Sequence, residues 1–135
     1  MKSLITLAAL AAAIVATPAS AVMVRTVLIA AQVETNMMCL AGYDGDSMEK
    51  ALNFLDSVRW EKGPEGDQIP HDQTYINFFE GVDHNGYWAG KDLKKEGYNR
   101  DSCGGYTIEY IRGLAHKLNA DDFIKMNPQV FGESK

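Results

Sequence analysis

Apolar residues recur at helical spacing in four separate stretches of this chain, and this pattern most restricts what it can fold into. Ile29, Val33, Met37 and Leu40 step by four, four and three. Ala51, Leu52, Leu55 and Val58 make a second stripe with Phe54 at its flank. Tyr75, Phe78, Phe79 and Val82 make a third, and Ile108, Ile111, Leu114, Ala115 and Leu118 a fourth. The expected fold is all-α, a small four-helix domain. At 135 residues the chain has the length of one domain.

Boundary signals give the helices their expected ends. Thr26 can cap a first helix over Val27 to Ala41 with Gly42 at its stop. Alternation of Val22, Val24, Thr26 and Leu28 also fits a strand, so residues 22–28 stay open between the two states. Asp46 and Glu49 have the spacing of a capping box for a second helix ending near Trp60. Glu61 to His71 carries two prolines and two glycines and reads as an exposed loop. Asp72 or Thr74 can cap the third helix. Its continuation through Asn85-Gly86 to Leu93 stays open, because an interior Gly costs about 1 kcal/mol against Ala. Gly86 and Gly90 are tolerable there if they let another helix approach closely. The fourth helix follows Cys103-Gly104-Gly105 and ends at Asn119.

Ahead of these elements, Lys2, the apolar run Leu4 to Val15, Pro18 and Ala19-Ser20-Ala21 have the form of a secretory signal peptide cleaved after Ala21. The expected organisation is therefore a leader over 1–21 and one domain over 22–135, periplasmic or secreted, with no membrane attachment after cleavage. In an oxidising compartment Cys39 and Cys103 read as one disulfide. Closing so long a loop is worth about 4 kcal/mol on the chain-entropy account.

Charge and motifs narrow the function. With 13 basic and 18 acidic residues the net charge is −5, which gives no attraction for a phosphate backbone, so no nucleic-acid partner is expected. His71, His84 and His116 lack metal-ligand spacing, and no metal or cofactor is expected. Asp44, Asp46 and Glu49 lack the ligand spacing of a calcium loop. Ser47-Met48-Glu49-Lys50 has the SxxK form of serine acyl-transfer enzymes without their partner motifs, and Ser is at home at a helix start. Glu80 and Asp83 offer two carboxylates for glycosidase-type chemistry, a spacing common on any solvated helix. No catalytic residue is assigned.

The aromatic pairs Phe78-Phe79 and Tyr87-Trp88 point to binding. Adjacent rings on a helix diverge, so at least one per pair is expected at the surface, unless the helix is buried on two sides. Exposed aromatics rimmed by charge mark partner sites. The candidate partner-binding residues are Phe79, Glu80, Asp83, His84, Tyr87 and Trp88, with Lys91 on the rim and the 63–71 loop as a second contact.

Gly86-Tyr87-Trp88-Ala89-Gly90 on a helix, Cys103 about a dozen residues on, an amphipathic helix after it, and Cys39-Leu40-Ala41-Gly42-Tyr43 before it resemble the Rap/Tai-type immunity proteins of type VI secretion. The resemblance implies a non-enzymatic periplasmic protein, dimeric, that blocks a cell-wall-degrading effector. The acidic balance suits a basic enzyme as partner. In plan the chain is also similar to the HdeA-type periplasmic acid chaperones, which implies instead a dimer that opens at low pH.

Overall fold

The computed structural model describes residues 20–60, 69 and 72–131. Apart from Ser20 and Ala21, the expected leader lies outside the described residues, as does the 61–71 loop with His71 except for Ile69. The described chain is all-helical: α1 (Ser20–Asp44), α2 (Met48–Trp60), α3 (Gln73–Lys95), α4 (Ser102–Lys117), α5 (Asp121–Lys125) and α6 (Pro128–Phe131). The two short helices extend the four-helix expectation at its C-terminal end.

Helix α1 begins earlier than its capping signal suggests, and the strand alternative for 22–28 is overturned. Val24, Val27, Leu28 and Ala31 are all buried, a helical spacing that a strand cannot present to one core. Thr26 is thus an interior helical residue, itself buried, and not a cap. The stop is also displaced. Gly45, at φ +86°, provides the left-handed residue, with the Asp46 N–H donating to the Ala41 carbonyl at 3.0 Å and the Gly45 N–H to that of Gly42 at 3.4 Å. The same closure ends α3 at Gly97 (φ +85°) and α4 at Asn119 (φ 55°). Ser47, and not Asp46, caps α2: its Oγ accepts the Lys50 N–H at 3.2 Å. Asp72 caps α3 by accepting the Tyr75 N–H at 3.2 Å.

Helix α3 runs without a break through Asn85-Gly86, because its glycines are where it touches α1. A Cβ at Gly86 would stand 2.9 Å from the Thr35 carbonyl oxygen, and one at Gly90 would overlap the Cys39 carbonyl. From the other side, a Cβ at Gly42 would overlap the Tyr87 carbonyl. Thr35 meets Gly86 and Cys39 meets Gly90, so the two helices run parallel with their backbones in contact. A parallel pair needs a crossover between its members, and α2 lies on it. Helix α4 returns antiparallel to α3: Cys103 is joined to Cys39 beside Gly90, and Tyr106 further along donates to Asn85 one turn back.

The main core is filled by Leu28 and Ala31 from α1, Phe78, Phe79 and Val82 from α3, Ile111, Ala115 and Leu118 from the end of the bundle built by α4, and Phe123 from α5. Ile69, from the otherwise undescribed 61–71 stretch, also inserts there. A smaller cluster of Met38, Leu55 and Tyr87 seats α2. Cys39 and Cys103 are joined with their Cα atoms 5.7 Å apart, and both are fully buried.

Candidate functional site

The candidate residues of α3 separate into two sets by their direction around the helix. Phe79, Asp83 and Tyr87 are buried, while Glu80 and Trp88 are exposed and His84 is half-buried. Glu80, His84 and Trp88 are four residues apart and form one ridge along the outer side of α3. The expectation that each aromatic pair exposes a ring holds for one pair and is corrected for the other. Trp88 is 54% exposed, but Phe78 and Phe79 are both buried, their rings edge to face at 5.2 Å. Phe78 and Phe79 both enter the one core that residues of α1, α4 and α5 also fill, so the N-terminal half of α3 is covered broadly enough to bury neighbouring rings.

Trp88, though exposed, is in contact with a buried neighbour. Its ring stands edge to face on that of Tyr87 at 5.4 Å. Tyr87 is fixed in turn by burial against Met38 and Leu55 and by its hydroxyl, which donates to the Asp46 carbonyl at 2.6 Å. Beside Trp88 opens a groove of about 530 Å³ between the end of α1, at Gly42, Tyr43 and Gly45, and the last turns of α3, at Trp88, Lys91 and Lys95. Lys91 Nζ lies over the Tyr87 ring at 5.3 Å and Lys94 Nζ over the Tyr43 ring at 5.0 Å. The Tyr43 hydroxyl donates to the Tyr98 carbonyl at 2.7 Å.

At the groove's edge Arg100 grips Asp44 through Nε and a terminal nitrogen, each 2.9 Å from a carboxylate oxygen. The guanidinium holds the Asp44 carboxyl below the usual carboxylate range. The lysines and Arg100 gather where α1 and α3, being parallel, both present their carbonyl ends, the negative poles of two helix dipoles. Lys94 and Lys95 escaped the sequence reading, and Tyr43 entered it only within the Cys39–Tyr43 element and not as a site residue. Their signal was the position of Tyr43 directly after Gly42, which is meaningful only once Gly42 is known to lie against α3.

The arrangement offers surface contact and little acid–base chemistry. Glu80 is exposed whereas Asp83 is 1% exposed, so the two carboxylates do not face one cleft. Ser47 serves as a helix cap. His116 lies apart on α4, 3.3 Å from Asp121. Among the described residues no group of three or more His, Cys, Asp or Glu side chains is placed to hold a metal ion, and no helix is long and apolar enough to cross a membrane. On α4 the stacked rings of Tyr106 and Tyr110 face α3, and burial pushes both hydroxyls above their usual range, with Asp83 contributing at Tyr110.

No protein-family model matches the chain, and no curated protein and no solved structure matches it significantly.

Proposed function

We propose that the protein is an exported, non-enzymatic binding protein that holds a protein partner on the Glu80–His84–Trp88 ridge and the adjoining groove. The reading includes an inhibitory role, as an immunity protein against a cell-wall-degrading effector in the periplasm. Trp88 carries it. A large ring more than half exposed, set edge to face on a buried tyrosine and mounted on a helix braced by backbone contact, suits the part of a preformed anchor. The Cys39–Cys103 disulfide supports an oxidising compartment. The charged and polar residues around Trp88 supply a rim of the kind that surrounds such anchors.

The test uses the wild-type protein and Trp88→Ala as baits in periplasmic extract, followed by calorimetry and a wall-hydrolysis assay on the captured protein. A stoichiometric partner is expected, with its wall hydrolysis inhibited. Loss of a hot-spot tryptophan costs about 2 kcal/mol or more, roughly thirtyfold in affinity. The thermal midpoint should not move, because Trp88 contributes little to the core. An equal affinity for both baits, or no partner, overturns the reading.

A further inference from the structure

The groove beside Trp88 has a local charge opposite to that of the whole chain. Lys91, Lys94 and Lys95 line it, on a protein with 18 acidic residues and a net charge of −5. Two carboxylates line it as well, Asp44 and Asp92. Asp44 is already occupied by Arg100, which grips it with two bonds of 2.9 Å, so Asp92 alone stands against the three lysines. Among the described residues none of these lysines is paired with a carboxylate. Nor do they cap the helix ends. The last turn of α1 is closed by the Gly45 and Asp46 N–H groups, and that of α3 by the N–H groups of Glu96, Gly97 and Tyr98. Lys91 and Lys94 instead lie over the rings of Tyr87 and Tyr43, at 5.3 and 5.0 Å, and Lys95 is exposed. Contact with a ring face leaves the three donors of an ammonium free for another acceptor.

We infer that this groove receives an acidic segment of the protein partner, its carboxylates pairing with Lys91, Lys94 and Lys95 while an apolar side chain of the same segment rests on Trp88. The inference deepens the partner reading given above and rests on it. Continuity selects a polypeptide as occupant. Trp88 is at once the exposed ring of the ridge and a wall of the groove, so a chain crossing the ridge enters the groove without a break. Charge selects the acidity of that chain. Net charge by itself points to a basic partner, but the Debye length is about 8 Å at physiological ionic strength, and acidic residues further off are largely screened from the groove. What enters it meets the lysines, which attract carboxylates and repel a basic segment. A partner that is basic overall and inserts an acidic loop satisfies both fields.

The test needs no natural partner. NMR on isotope-labelled protein titrated with an end-blocked hexaglutamate peptide should show saturable shifts at the Trp88 indole and the Gly45 amide, and an end-blocked hexalysine peptide should shift neither. Joint replacement Lys91→Glu and Lys95→Glu should raise the dissociation constant for hexaglutamate about tenfold or more, with the melting temperature in place because both residues lie outside the core. Lys95→Gln, which removes one exposed charge and no packing, should raise it about threefold and gives a second readout if the double variant folds poorly. Inorganic phosphate is the control. Shifts by phosphate equal to those by the peptide would identify an ion site without a segment and overturn the proposal. Absent or non-saturable shifts, an equal response to hexalysine, or unchanged affinity in both variants overturns it too. Peptide binding that fails while Trp88-dependent capture succeeds removes this inference alone. Capture that fails while the peptide binds removes the partner reading and supports the acidic preference of the groove.

Discussion

Replacing Gly90 with Ala adds a single methyl group at the point where α1 and α3 touch backbone to backbone. The new carbon would overlap the Cys39 carbonyl oxygen and stand 2.8 Å from the Tyr43 nitrogen. None of these atoms can rotate aside as a side chain does, so relief requires the helices to part. Overpacking of this kind costs about 1–3 kcal/mol, and a backbone obstacle places Gly90 at the upper end. Exchanging Gly for Ala inside a helix returns about 1 kcal/mol, leaving a net loss of about 2 kcal/mol. The same exchange at Gly113, inside α4 with no atom within 4 Å of the added carbon, should gain about 1 kcal/mol. Two chemically identical substitutions should therefore differ by roughly 3 kcal/mol. Urea unfolding followed by circular dichroism, with the midpoints compared at a common slope, measures the difference. If Gly90→Ala is as stable as Gly113→Ala, the close parallel packing of α1 on α3 is wrong.

Replacing both Cys39 and Cys103 by Ser should lower stability by about 4 kcal/mol for a 64-residue separation, read from denaturant midpoints. Because both cysteines are fully buried, a mild reductant should open the disulfide no faster than the chain unfolds, which timed thiol trapping can check. Phe79→Ala should cost about 3–5 kcal/mol and Phe54→Ala under about 0.5 kcal/mol, since Phe79 is fully buried and Phe54 is 55% exposed; thermal melts compare them. Burial raises the Tyr110 hydroxyl above its usual range, with Tyr106 and Asp83 adding to the shift. The unfolded chain then releases that proton first, so stability falls as pH climbs beyond about 10 and continues falling toward the folded-state value. Between about pH 9 and 11.5 the melting temperature of wild type should fall relative to that of Tyr110→Phe, and a constant difference between them would contradict this assignment.

Periodicity made the helices legible because each buries one stripe, and this worked best for α4, whose Ile111, Leu114 and Ala115, with Leu118 just past its end, are all buried. It failed at the start of α1, where burial on several sides gives an apolar pattern without a clean polar face, and alternation can be read into it. Gly42 reads in the sequence as a stop, and Gly86 and Gly90 read either as breaks in α3 or as points of close helix approach. All three are contacts, and only the identity of the opposing backbone separates the two roles. At the candidate site, Trp88 was readable as one of two divergent rings, but which ring turned outward depended on α2, whose Leu55 seats Tyr87. The Phe78-Phe79 pair followed the other branch, because a helix enclosed on two sides can bury neighbouring rings.

The parallel contact between α1 and α3 has a bearing on the order of folding. The partner of each α1 residue along this seam lies roughly fifty residues further down the chain, as Thr35 with Gly86 and Cys39 with Gly90 show. A chain emerging N-terminus first therefore presents α1 complete, apolar and almost chargeless well before α3 exists to receive it. Helix α2 packs beside Met38 and so does not cover the face of α1 that Gly86 and Gly90 later meet. During synthesis the first helix is therefore an adhesive segment, and whatever shields it in that interval governs how much of the protein reaches its native pairing.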